Sequence, residues 1–87
     1  MDTGQRRETS FRLDGKIHHT TTRVEQWKDE RGIRYQAFIE TSPLKGTYGA
    51  DAGTAEQALD FLNLAMQAEG ADAIIFSDES VGSQGVL

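Results

Sequence analysis

The chain has 87 residues and no cysteine, which excludes disulfide bonds, thiolate metal sites and a cysteine nucleophile. No apolar run approaches the ~20 residues of a membrane span, and no apolar stretch typical of a secretory signal follows the basic N-terminal residues. We therefore expect a cytoplasmic protein with a single domain.

The charge is unevenly distributed along the chain. Residues 1–35 hold eight Lys and Arg against six Asp and Glu, a balance of +2, whereas residues 36–87 hold one Lys against eight acidic residues, a balance of -7. The net charge of -5 disfavours long-range attraction to nucleic acid. It is more easily reconciled with a basic protein partner or with self-association.

The N-terminal third predicts a flexible tail over residues 1–9, followed by a β-hairpin. Leu13-Asp14-Gly15 fits a three-residue loop with Gly15 in the left-handed conformation. That loop would pair Phe11 with Ile17 on one face and leave Leu13 exposed at the tip.

A second hairpin follows, because residues 18–27 and 33–39 are rich in β-branched and aromatic side chains. With Gly32 as the left-handed turn residue, the predicted register pairs Trp27 with Tyr35. The side chains predicted to face the helix are those of Trp27, Ile33, Tyr35, Ala37 and Ile39.

Residues 54–70 predict the one long amphipathic helix of the chain. Thr54 and Gln57 form a capping box at its start, and Gly70 supplies a left-handed stop. Residues 41–53 are predicted as a loop with a possible short strand at 46–50. Ala73 to Phe76 predict a short buried strand, and residues 77–87 a flexible tail.

Together these elements predict an α+β domain over residues 10–76. It consists of an antiparallel three- to four-stranded sheet with one helix packed across one face, in the order β-β-β-α-β.

No motif predicts a catalytic, cofactor or metal site. His18 and His19 point to opposite faces of a strand and cannot easily share a metal. The glycine-rich residues 46–54 lack a phosphate-binding pattern, and Glu56 and Asp60 are typical of an exposed helix face. A non-enzymatic protein without cofactors is the leading expectation, and a ligand-binding protein or enzyme without a recognisable motif is an alternative.

The face of the sheet away from the helix is the leading candidate for protein–protein interaction. The predicted register places an apolar pair there with a polar rim, an arrangement typical of interfaces. The candidate interaction face consists of Val24, Gln26, Lys28, Arg34, Gln36 and Phe38. The expected partner is another protein or a second copy of the chain.

A nucleic-acid-binding module is a further alternative, because the two hairpins carry most of the basic side chains. The residues that would contact phosphates are Arg12, Lys16, Arg23, Lys28 and Arg34. Such binding would weaken steeply with salt.

Three segments resemble HicB-like antitoxins when they are taken in order. They are the acidic-glycine turn and aromatic-alanine strand of residues 29–37, the Pro43-Leu44-Lys45-Gly46 turn, and the helix start at residues 54–59. The resemblance covers about residues 21–69. It implies a truncated RNase H-like β-β-β-α-β fold and a non-catalytic protein that binds a small basic RNase toxin and often oligomerises. The chain lacks the usual cysteine after the turn glycine.

Overall fold

A computed structural model describes residues 5–77. The sheet is antiparallel with the strand order β3-β2-β1-β4, and α1 packs against one face of it, here called the inner face. The predicted α+β fold with the order β-β-β-α-β is confirmed. The elements are β1 (Gln5–Leu13), β2 (Lys16–Asp29), β3 (Gly32–Ile39), α1 (Ala55–Ala68) and β4 (Asp72–Phe76).

The sheet begins earlier in the chain than predicted. Residues 5–9, assigned to the N-terminal tail, form the first half of β1. At the other end, just beyond β4, the Ser77 N–H donates to the Glu8 carbonyl over 2.7 Å. The rest of the two predicted tails, residues 1–4 and 78–87, lies outside the described residues.

The first hairpin turns over two residues rather than three. Asp14 and Gly15 both have positive φ angles, 53° and 78°, as in the type I′ turn that suits the right-handed twist of paired strands. Phe11 therefore pairs with His18 and not with Ile17. As a result Phe11 is fully buried while Ile17 is 60% exposed. Leu13, predicted at an exposed tip, packs against the core.

The second hairpin also differs from its predicted register by one residue. Trp27 pairs with Arg34, and Val24 pairs with Ala37. A shift of one residue moves every side chain of a strand to the other face. Trp27 therefore points away from the helix, and Val24 lies in the core at 2% exposure.

Helix α1 begins and ends at the predicted signals. The Thr54 hydroxyl accepts a hydrogen bond from the Gln57 N–H at 3.0 Å, although the Gln57 side chain accepts from the Gly53 N–H instead of that of Thr54. Gly70 has a φ of 99° just beyond the helix end. The helix buries Ala58, Leu62 and Met66, which join a core cluster with Phe11, Val24, Ala37 and Ile39.

The two edges of the sheet differ. Residues 46–52 run along the edge of β3 that faces away from β2. Tyr35 and Ala52 exchange two backbone hydrogen bonds of 2.8 Å there, and the Ile39 N–H donates to the Thr47 carbonyl. The short strand predicted at 46–50 is thus reduced to isolated bridges at Tyr48 and Ala52. Strand β4, predicted to be buried, forms the opposite edge. Within residues 5–77 no strand pairs with its free side.

Candidate interaction surface

The side of the sheet opposite α1, here called the outer face, carries no helix among the described residues. Its side chains alternate with those of the core along each strand. The register places on it three large apolar residues with substantial exposure, Ile17 at 60%, Trp27 at 36% and Ile75 at 59%. The sequence-based interpretation missed all three. The predicted turns assigned the wrong face to β2, which carries Ile17 and Trp27, and the apolar run that contains Ile75 predicted a buried strand.

The six residues of the predicted interaction face do not share one face. Val24, Gln26 and Lys28 pair with Ala37, Tyr35 and Ile33 on the inner face. The remaining three, Arg34, Gln36 and Phe38, pair with Trp27, Glu25 and Arg23 on the outer face. The predicted apolar pair of Val24 and Phe38 is therefore divided between the core and the opposite side of the sheet.

The outward side chains of the second hairpin form one continuous patch, here called the hairpin surface. Trp27 and Phe38 lie at its two ends, and polar residues separate them. Phe38 is half-buried and its backbone bridges to Tyr48. The members of the hairpin surface are Arg23, Glu25, Trp27, Arg34, Gln36 and Phe38.

Hydrogen bonds to neighbouring segments fix much of the hairpin surface. The Gln36 amide donates to the Gly49 carbonyl at 2.9 Å, and Arg34 donates to the Asp51 carboxylate at 3.1 Å. The indole N–H of Trp27 lies 3.4 Å from an Asp29 oxygen. Side chains held in this way lose little conformational entropy when a partner binds.

An ion network joins the tip of the second hairpin to the segment before α1. Arg31 contacts Asp29 at 2.6 Å and Asp51 at 3.0 Å, and Asp51 also binds Arg34. The side-chain and backbone hydrogen bonds from Arg31 lower the pKa of Asp29 to about 2. Hydrogen bonds from Arg34 and then Arg31 lower the pKa of Asp51. Both carboxylates are therefore ionised at neutral pH.

The remaining arginines of the outer face also lie beside carboxylates. Arg12 binds Asp72 through two 2.8 Å hydrogen bonds, which raise the pKa of Arg12 and lower that of Asp72. Arg6 and Arg23 contact Glu40 at 3.0 and 3.7 Å. A nucleic-acid phosphate would have to compete with these carboxylates, so the arrangement does not favour the nucleic-acid alternative.

The depressions on the described part of the chain include two with volumes of about 510 and 540 Å³. The first is lined mainly by hydroxyl residues together with Glu8 and His19. Ser10 lies directly opposite His19 on the neighbouring strand, but no hydrogen bond joins the two side chains. The other, of about 540 Å³, lies between residues 43–48 and the last turns of α1. Neither brings together a nucleophile, a base and an orienting group.

The two histidines point to opposite faces, as predicted. The His18 ring stacks on Phe11 with centroids 5.4 Å apart, whereas His19 lies opposite Ser10. Among residues 5–77 no group of three His, Asp or Glu side chains is placed to hold a metal ion.

No protein-family model matches the chain, and neither the curated proteins nor the solved structures give a significant match. None of the described residues belongs to a helix with the length and hydropathy that a membrane span requires.

Proposed function

We propose that the chain is a non-catalytic protein-binding module that contacts its partner through the hairpin surface. The observation that carries the proposal is the half-exposed Trp27 on the outer face of the sheet, beside the ion-paired Arg34. Tryptophan and arginine are the residue types most often found at the energetic centre of protein interfaces.

The chemistry of the patch supports a protein partner more than a small ligand. Trp27 and Phe38 offer apolar area, and Arg23, Glu25 and Gln36 supply a polar rim, as in non-obligate interfaces. The residues of the hairpin surface line neither of the two depressions described above, whereas small-molecule sites are usually concave and mostly apolar.

The resemblance to HicB-like antitoxins adds a class of partner, a small basic RNase. The charge of -7 on residues 36–87 is complementary to a basic protein and would accelerate its association. If a neighbouring gene encodes a small basic protein, that protein would therefore be the first partner to test.

The experiment compares three tagged proteins, namely the wild type, Trp27→Ala and Leu64→Ala. Leu64 is a suitable control because it is 60% exposed but lies on α1. Proteins captured from an extract of the source cells are identified by mass spectrometry, and the neighbouring gene product is tested directly by calorimetry.

We expect one protein to bind the wild type and Leu64→Ala with equal affinity and Trp27→Ala at least about tenfold more weakly. Equal binding to all three proteins, or no binding to the wild type, would contradict the proposal. Circular dichroism of both variants checks that the fold is retained.

A further inference from the structure

The free side of β4 offers backbone hydrogen-bonding groups at the edge of the sheet. Strand β4 is antiparallel to β1, with Thr9 opposite Phe76 and Ser10 opposite Ile75. An exposed edge strand is a template for pairing with another strand. The opposite edge of the sheet is occupied by residues 46–52, so within residues 5–77 the edge at which the sheet can be extended is β4.

The direction of each backbone group on β4 follows from one hydrogen bond. The Ser77 N–H donates to Glu8 on β1. Because hydrogen-bonded and non-hydrogen-bonded pairs alternate along antiparallel strands, Ile75 also directs its backbone groups toward β1. The N–H and C=O groups of Ile74 and Phe76 then point away from β1, toward the free side.

We propose that a second copy of the chain pairs antiparallel with β4, on a two-fold axis that passes between the two Ile75 residues. Ile74 of each copy exchanges backbone hydrogen bonds with Phe76 of the other. The two Ile75 residues form the non-hydrogen-bonded pair between them, with their side chains in contact on the outer face. The axis is perpendicular to the sheet, so both helices lie on the same side of a continuous eight-stranded sheet.

The chemistry of this short segment suits a second copy. Residues 74–76 carry no charge, and the Ile75 side chain is 59% exposed. The one charged residue of β4, Asp72, is bound by Arg12, so two-fold pairing of residues 74–76 brings no like charges together. Contact between the two isoleucines removes exposed apolar surface from water on both copies.

The segment of β4 that can pair is short, which limits the affinity of the dimer. The register between β1 and β4 shifts between Ser10 and Arg12, and Ala73 there has a φ of 50°, so regular pairing is limited to residues 74–76. Such an edge buries much less than the ~1,200 Å² of a stable interface. The dimer is therefore weak, with a Kd on the order of 0.1–1 mM. The contact involves the β4 edge, whereas the hairpin surface lies on β2 and β3, so each proposal can be tested without the other.

A single cysteine tests the register directly, because the chain has none of its own. Opposed residues of a non-hydrogen-bonded pair have Cα atoms about 4.5 Å apart, within the range that a disulfide spans. We expect Ile75→Cys to form a disulfide-linked dimer under mild oxidation at least about tenfold faster than Ile17→Cys, because pairing raises the effective concentration of the thiol. Ile17 is equally exposed on the same face, but it lies on β2, which is flanked by β1 and β3 and is not at an edge of the sheet.

Sedimentation equilibrium at about 0.5 mM protein provides the second test. We expect the wild type and Ile17→Lys to show the same monomer–dimer equilibrium, and Ile75→Lys to be monomeric because two ammonium groups would face each other across the axis. Equal crosslinking rates for the two cysteine variants would overturn the proposal. So would a wild type that is monomeric at this concentration, or an Ile75→Lys variant that dimerises like the wild type.

Discussion

Gly49 lies so close to Phe61 of α1 that a Cβ at position 49 would be 2.5 Å from the Phe61 carbonyl carbon. On its other side, the Gly49 N–H points to the Ala37 carbonyl at 3.4 Å and its carbonyl accepts from the Gln36 amide. The glycine therefore allows the segment along β3 to pass directly under the helix.

Replacing this glycine should displace the helix. We expect Gly49→Ala to destabilise the fold by about 1–3 kcal/mol, because the added methyl group meets backbone atoms that cannot rotate away. Urea unfolding followed by circular dichroism measures the change. Gly53→Ala is the matched control, since its nearest neighbour, an Arg34 nitrogen, would be 3.7 Å away. A loss for Gly49→Ala no greater than that of Gly53→Ala would contradict the close approach.

Leu62 tests the packing of α1 on the sheet. It is fully buried, whereas Leu64 on the same helix is 60% exposed. We expect Leu62→Ala to cost about 2–5 kcal/mol of unfolding free energy, and Leu64→Ala to change it by no more than about 0.5 kcal/mol. Similar losses for the two variants in a denaturant titration would mean that the helix does not dock as described.

Thr9 and Thr22 form a buried hydroxyl pair on the inner face, with their oxygens 2.7 Å apart. The Thr9 hydroxyl donates to the Arg7 carbonyl, so the Thr22 hydroxyl donates to Thr9. Thr9→Val should therefore cost about 1–2 kcal/mol, because it leaves the Thr22 hydroxyl without its acceptor.

The threonine variants should also differ in how much unfolding free energy they lose. Thr22→Val should cost less than Thr9→Val, since Thr9 keeps its Arg7 acceptor. The double variant should be close to the wild type because neither hydroxyl is then left unpaired. Purely additive losses in the double-mutant cycle would argue against a coupled pair.

Acid should weaken the ion network at the hairpin tip. The pKa of Asp29 is about 2 in the folded protein against an ordinary value of 3.8. Its contribution to stability is therefore complete above about pH 4 and is lost as the pH falls through 2. Asp29→Asn should flatten the decline of unfolding free energy over that interval.

Arg31→Gln provides a second route to the same result, since hydrogen bonds from Arg31 are the main cause of the shift in Asp29. Arg31→Gln should make the pH dependence in urea titrations between about pH 2 and 4 at least as shallow as Asp29→Asn does, because it also removes a hydrogen bond that lowers the pKa of Asp51. An Arg31→Gln profile that keeps the slope of the wild type would show that the guanidinium does not set the acid response.

The helix and the order of elements could be predicted because their signals are local. Thr54 supplies the cap and Gly70 the positive φ, as the sequence indicated. The alternation of Tyr35, Ala37 and Ile39 also predicted the correct inward face of β3.

The orientation of β2 could not be predicted from its own pattern. Ile17 and Trp27, at odd-numbered positions of the strand, are exposed on one face. Thr20, Thr22 and Val24, at even-numbered positions, are buried on the other face. A threonine face becomes favourable in the core only when another strand supplies a partner, as Thr9 does for Thr22. That information lies in tertiary contacts, and the candidate interaction face was divided for the same reason.

The segment from 46 to 52 leaves the sheet with one open edge among the described residues. A filament built by strand addition needs two compatible edges on every subunit, so that each copy can join a neighbour on both sides. A sheet closed at β3 and open at β4 does not meet that requirement. Among residues 5–77, strand addition at β4 can therefore join two copies of the chain but leaves no second edge for further growth.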